Sequence, residues 1–198
     1  MAGDGYLEAV DAARASGFEA VERLAGGRAS AFHDRTLHLG LAVRDGDPRA
    51  GVTRRFEEAA GLIARAFVGL GVDARVGEVP GEYCAGEHSV NARGRTKLVG
   101  LAQRVIKDGA YVGGVVVVAG ADRLRDVLVP VYEALELEWR PETTGSLADE
   151  RPGSTWEDAR AAIEAEYAER YGLEPVELDG ETLALAERLA PEHRSPGQ

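Results

Sequence analysis

Only two of the chain's 23 basic residues are lysines, Lys97 and Lys107. There is one cysteine, Cys84, one asparagine, Asn91, and two glutamines, Gln103 and Gln198. Five of these six residues fall between positions 84 and 107. The arginine and alanine bias resembles that of a GC-rich genome, which would erode lysine and asparagine wherever they are dispensable. The cluster therefore marks either a segment where particular functional groups are required or structural sites where arginine substitutes poorly. A thiol supplies a nucleophile, and an ammonium supplies a point charge for a carbonyl or a phosphate. The same segment carries Arg93, Arg95, Lys97, Arg104 and Lys107 against Glu87 alone. Such a basic patch suits a phosphate, a carboxylate or an acidic partner.

Each candidate also has a plain structural reading. Cys84 lies in the Gly/Pro loop EVPGEYCAG, beside Tyr83 and four residues before His88. It is either a nucleophile, with its charge supported by nearby Arg93, Arg95 and Lys97, or an inert buried thiol. A Cys84/His88 metal pair lacks further cysteines, and no metal site is expected. Lys97 either polarises a carbonyl or lies solvated at the surface. Gly26 and Gly27 allow either close approach of a ligand or a tight turn. Gly113 leaves room for a bound chain or marks a bulge.

The elements that hold these residues follow from periodicity and punctuation. Helices are expected over 6–16, 49–70, 122–136, 156–171 and 180–190. Strands are expected over 19–24, 28–33, 36–43, 73–77, 87–93, 98–106 and 111–119. The clearest helix is 49–70, where Phe56, Ala59, Ala60, Ile63, Phe67 and Leu70 share one face. Ser154-Thr155-Trp156-Glu157 offers an N-cap for the helix at 156. Residues 140–153 read as loop, and the tail SPGQ as frayed. Strands in antiparallel groups separated by helices give an α+β class, with a mixed, largely antiparallel sheet packed by helices, over a doubly wound sheet. Gly26-Gly27 leads into a strand, so it presents no helix N-terminus to a phosphate.

With 198 residues the chain fits one domain able to bury a core. The expected division is 1–147 as the catalytic part and 148–198 as an acidic helical extension on the same domain. The net charge of −11 disfavours nucleic acid as a partner. No apolar run is long enough for a membrane span and no secretory signal is visible, so a cytoplasmic location is expected.

One family carries this pattern of residues. Glu82-Tyr83-Cys84-Ala85-Gly86, then Ser89, Asn91, Gly94, Lys97, Gly100, Ala102, Gln103 and Arg104, resembles the lipoate–protein ligase and lipoyl/octanoyl transferase family. Upstream, Arg23-Leu24-Ala25-Gly26-Gly27-Arg28-Ala29 with His33-Asp34 resembles its glycine block. The resemblance implies a fold shared with biotin protein ligases, here with a shortened N-terminus. It implies transfer of a lipoyl or octanoyl group to a lysine of an acceptor domain. Lipoate or octanoate is then the substrate, with ATP and magnesium as co-substrates in the ligase route and no tightly bound cofactor.

The resemblance places contact with the activated acyl group on Lys97. It makes Cys84 the nucleophile of the cysteine-dependent members. It assigns substrate binding to Arg23, Gly26, Gly27, His33, Asn91, Gly100 and Gly113. An acidic lipoyl domain or a glycine-cleavage H-type carrier is the implied acceptor. The chain departs from the glycine block at Leu24, Ala25 and Arg28. These departures and the short N-terminus leave a second reading open, a non-catalytic or half-enzyme subunit whose partner supplies the N-terminal elements.

Overall fold

A computed structural model describes residues 5–195, and all but the first residue of the tail expected to fray lies outside the described residues. Five strands form one sheet: β1 (Thr36–Arg44), β2 (Ala74–Val76), β3 (Val90–Ala92), β4 (Thr96–Ile106) and β5 (Gly109–Val117). Their order is β1-β5-β4-β3-β2, with every neighbouring pair antiparallel. Six helices accompany them among the described residues: α1 (Tyr6–Ala15), α2 (Val52–Gly69), α3 (Ala121–Ala134), α4 (Leu147–Glu150), α5 (Trp156–Tyr171) and α6 (Gly180–Leu189). The α+β architecture with a largely antiparallel sheet is therefore as expected. No helix among the described residues is long and apolar enough to cross a membrane.

Strand alternation divides the side chains between two faces. Leu37, Leu39 and Leu41 of β1, with Val116 of β5, join Ile63 and Phe67 of α2 and Ile163 and Tyr167 of α5 in one core cluster. On the other face Val117 meets Leu124, Leu128 and Tyr132 of α3, with Ala9 of α1. The first cluster explains α2: its 3.6-residue apolar stripe lies flat on the sheet. Helix α5 starts at Thr155 through a capping box with Asp158, whose two bonds measure 3.0 and 3.1 Å. Because Ala159, Ile163 and Tyr167 are buried in the main core, packing continues across the expected boundary at 147/148. Helix α6, by contrast, buries no residue.

Three local expectations differ from the structure. Residues 28–33 form no strand; Arg28 N–H and Ala29 C=O bond instead to Cys84 and Tyr132. Residues 19–24 make a single bridge, Val21 with Arg194, in place of a strand. The loop 140–153 contains α4, started by a Ser146/Asp149 capping box. Helix α3 runs through Pro130 without ending there.

One irregularity positions chemistry. Strand β3 pairs Val90 with Val99 but Asn91 with Lys97, so Leu98 is an extra residue in β4. A one-residue slip transfers the following side chains to the opposite face. Leu98 and Val99 both enter the α2 core, and Lys97 emerges on the face of Gly100.

Candidate functional site

The face of the sheet opposite α2 carries small residues. Antiparallel register sets Val115 beside His38 and Gly100, and Gly113 beside Gly40 and Ala102. Above this floor lies a cavity of about 760 Å³, lined almost wholly by apolar surface. Its walls include Phe32, Leu101 and Val115, and the segment Val21–Ala25. Tyr83, Cys84 and Lys97 line the same cavity.

Lys97 is fully buried, and its ammonium uses three acceptors. Its Nζ donates to Glu82 Oε1 at 2.9 Å, to Tyr83 O at 3.0 Å and to Cys84 O at 2.8 Å. It also sits over the Tyr83 ring, 4.8 Å from the centroid. Gly100 makes room for it, since a Cβ there would lie 3.1 Å from Lys97 Cε. Glu82 is buried as well, and its partners are donors. Its carboxylate accepts from Lys97, from Val79 N–H and Gly86 N–H, and from the Ser89 hydroxyl at 2.5 Å. Burial of this charge pair is supported by extensive hydrogen bonding. The pair fixes the loop 82–84 against β4.

The loop delivers Cys84 in a left-handed backbone conformation, φ 42°. Its sulfur accepts from Arg28 N–H at 3.1 Å and from Arg23 Nη2 at 3.6 Å. Its own N–H donates to the Tyr132 hydroxyl at 2.7 Å, which donates onward to Ala29 O at 3.0 Å. Burial drives the Tyr132 phenol well above its ordinary value, so it stays a neutral donor. Gly27 is needed beside it. Its φ is 103°, and a Cβ would lie 2.6 Å from Arg23 Nη2 and 2.8 Å from Cys84 Sγ. The result is a thiol at the rim of an apolar cavity, with a guanidinium and a backbone N–H pointed at its sulfur. Such donors suit a sulfur or an oxygen that carries negative charge. The imidazole nearest in sequence is engaged elsewhere: His88 stacks on Phe56, with ring centroids 5.3 Å apart. Among the described residues no group of three His, Cys, Asp or Glu side chains is arranged to hold a metal.

The C-terminal segment of the described chain closes one wall. Ala190 and His193 line the cavity. Glu22 N–H donates to His193 O at 2.7 Å, and His193 Nδ1 lies 2.8 Å from Glu22 O. The Tyr6 hydroxyl lies 2.6 Å from Glu22 Oε1 and 3.0 Å from Ser195 Oγ.

The structure thus gathers Lys97, Cys84, Arg23, Gly27, Gly100 and Gly113 around one cavity or its rim. Gly26 adjoins it, bonded through its N–H to Gln103 O at 3.4 Å. His33 and Asn91 lie elsewhere. His33 Nδ1 accepts from Arg35 N–H at 3.1 Å, and its Nε2 lies 3.2 Å from Gly120 O, fastening β1 to the start of α3. Asn91 donates to Gly77 O and accepts from Gly94 N–H, tying β2 to the turn after β3. Sequence reasoning gave no role to Glu82 or Tyr132. Glu82 stood inside the recognised loop pattern, whereas nothing in the sequence links Tyr132 to Cys84.

The lipoyl protein ligase A/B catalytic domain model matches residues 5–168. The chain belongs to this family. The strap at 190–195 that walls the cavity lies beyond the matched residues. No curated protein matches the sequence. Among solved structures, protein Ta0514 of T. acidophilum, described as a putative lipoate protein ligase and holding lipoic acid, aligns with TM-score 0.72 at 19% identity. The alignment covers 92% of this chain and 71% of that one. A lipoate-protein ligase A bound with ATP gives 0.71 at 18% identity, over 92% and 71%. A bipartite lipoate protein ligase of Thermoplasma acidophilum, studied with its E2 lipoyl domain, gives 0.70 at 19%, over 92% and 70%. At these identities the likeness establishes the lipoyl ligase fold.

Proposed function

We propose that this lipoyl ligase family member transfers a lipoyl or octanoyl group to the ε-amine of a lysine on an acceptor domain. The observation that carries the reading is the apolar cavity with Lys97 and Cys84 in its wall. An apolar chain fits the cavity, and its carbonyl end comes to the Lys97 ammonium and to the Cys84 sulfur, where the Arg23 guanidinium and the Arg28 N–H are the donors. The two donors directed at that sulfur support a thioester route. Cys84 attacks the carbonyl of an acyl thioester and the carrier thiol leaves. The acceptor amine then attacks the Cys84 thioester and releases the thiol. The ligase relative bound with ATP supports the other route, in which Lys97 steadies an acyl-adenylate and the acceptor amine displaces AMP. The relative studied with its E2 lipoyl domain supports a lipoyl domain as acceptor, for which an H-type carrier is the alternative.

The same relative, being bipartite, supports a second reading: one half of a split ligase that needs a partner subunit. Intact-protein mass spectrometry separates these readings. The chain is incubated with octanoylated carrier alone, or with octanoate, ATP and magnesium, each with an acceptor domain. A hydroxylamine-labile adduct absent from Cys84→Ser establishes the thioester route. ATP-dependent acceptor modification without an adduct establishes the ligase route. No transfer in either mixture overturns the complete-enzyme reading in favour of the half-enzyme.

A further inference from the structure

One side chain that lines the cavity lies on glycines. Tyr111 is in β5, four residues from Val115, which with Gly100 borders Lys97. At strand rise this separation is about 13 Å along the floor. The Tyr111 side chain folds back toward Lys97. A Cβ on Gly113 would lie 2.7 Å from its ring, and one on Gly40 would lie 2.7 Å from its hydroxyl oxygen. These two glycines face each other in the β1–β5 register, so together they form the bed on which the ring rests. His38 Nε2, 2.7 Å from the Tyr111 hydroxyl, holds the ring at its tip. Phe32 in turn packs edge-on against His38, with centroids 5.6 Å apart.

Beyond Tyr111 the same sheet face continues into a second hollow of about 550 Å³. Tyr111 and Arg104 line both. The second hollow contains Ala42, Arg44 and Ile106, so the floor itself does not stop at Tyr111. Tyr111 and Arg104 therefore stand where the two hollows meet.

We propose that Tyr111 is the residue that limits the length of the acyl chain this cavity accepts, an inference that rests on the acyl-binding reading above. The ring blocks the end of an apolar trough whose floor would otherwise run on over Ala42 and Ile106. A chain that reaches the ring has no further apolar surface to cover. Removing the ring joins the two hollows, and each additional methylene then finds a place to be buried.

The test is binding of saturated fatty acids, from hexanoic to hexadecanoic, to the purified full chain by calorimetry. Wild type is compared with Tyr111→Ala and Tyr111→Phe. In wild type the affinity should climb with length and then stop climbing or fall. In Tyr111→Ala it should continue to climb beyond that length, by about fourfold per added methylene, the effect of burying one such group. Tyr111→Phe keeps the ring and should keep the wild-type limit. Tyr111 is partly exposed, and far-UV circular dichroism of the alanine variant checks that the sheet persists. An unchanged length limit in Tyr111→Ala overturns the proposal, as does a limit in Tyr111→Phe that moves as far as in the alanine variant. If wild type binds no acid of any length, the acyl-cavity reading itself falls, and the limit with it.

Discussion

Replacing Glu82 by glutamine tests whether the buried Glu82–Lys97 pair organises the site. Both side chains have 0% exposure, and the ammonium lies 2.9 Å from Oε1. Glutamine has nearly the shape of glutamate, but the partners of this carboxylate are donors. Either orientation of the amide therefore turns its NH₂ toward another donor. Lys97 also loses its counter-charge and retains two backbone carbonyls. Removing one partner of a buried pair destabilises by about 3–5 kcal/mol. For a chain of this size each kcal/mol lowers Tm by about 2–4 °C, so the drop should be roughly 6–20 °C. Urea unfolding of wild type, Glu82→Gln, Lys97→Met and the double variant measures it. The double variant should lose less than the two single losses added together, by more than about 1 kcal/mol, because each single change strands the other charge. A Glu82→Gln loss below about 1 kcal/mol, or additive losses, would refute the reasoning.

Three further outcomes are expected. Tyr132→Phe leaves Cys84 N–H and Ala29 C=O without their partner, which should reduce stability by about 1–3 kcal/mol; it should also change the rate of Cys84 alkylation, read by mass spectrometry. Ending the chain after Leu189 removes Ala190 and His193 from the cavity wall, so fatty-acid dissociation followed by stopped flow should become faster, and an unchanged rate would assign the wall to other residues. Glu58 joins α2 to α5, and hydrogen bonds from the Tyr171 hydroxyl and then Arg170 hold its carboxyl below the ordinary value of 4.5. Its contribution is thus present above that value and is lost as pH falls through the lowered one. The stability of Glu58→Gln should accordingly fall less steeply below pH 4.5 than that of wild type in acid titrations followed by circular dichroism.

The rarity of five residues between 84 and 107 had more than one cause. Cys84 and Lys97 do enter the cavity wall. Asn91 and Gln103 serve the framework: Gln103 accepts from Arg55 Nε and donates to Val52 O, and Asn91 likewise donates and accepts. A side-chain amide offers both functions from one group, and arginine cannot replace it. Rarity therefore marked places where arginine fails, at the cavity wall and in the framework alike. The departure at Arg28 has a similar explanation. Its backbone N–H meets the Cys84 sulfur, so that contact does not depend on which side chain the position carries.

By itself the sequence determined what local rules govern. The apolar stripe of α2, the cap before α5 and the antiparallel run β4–β5 follow from spacing between near neighbours, as does the class of the fold. The loop and lysine pattern also identified the family. Tertiary structure decided which of these residues meet. Leu98 becomes an extra residue only when β3 pairs with β4, and that pairing sends Lys97 to the cavity face. Tyr132 reaches Cys84 across 48 positions, and the strap at 190–195 closes on residues 20–22 from the other end of the chain. The room expected over Gly113 is taken by Tyr111, a neighbour two residues away whose ring folds back because Gly40 on another strand leaves space. Periodicity encodes which face a residue prefers. Register, bulges and contacts between distant segments depend on the whole chain's packing, and here they built the site.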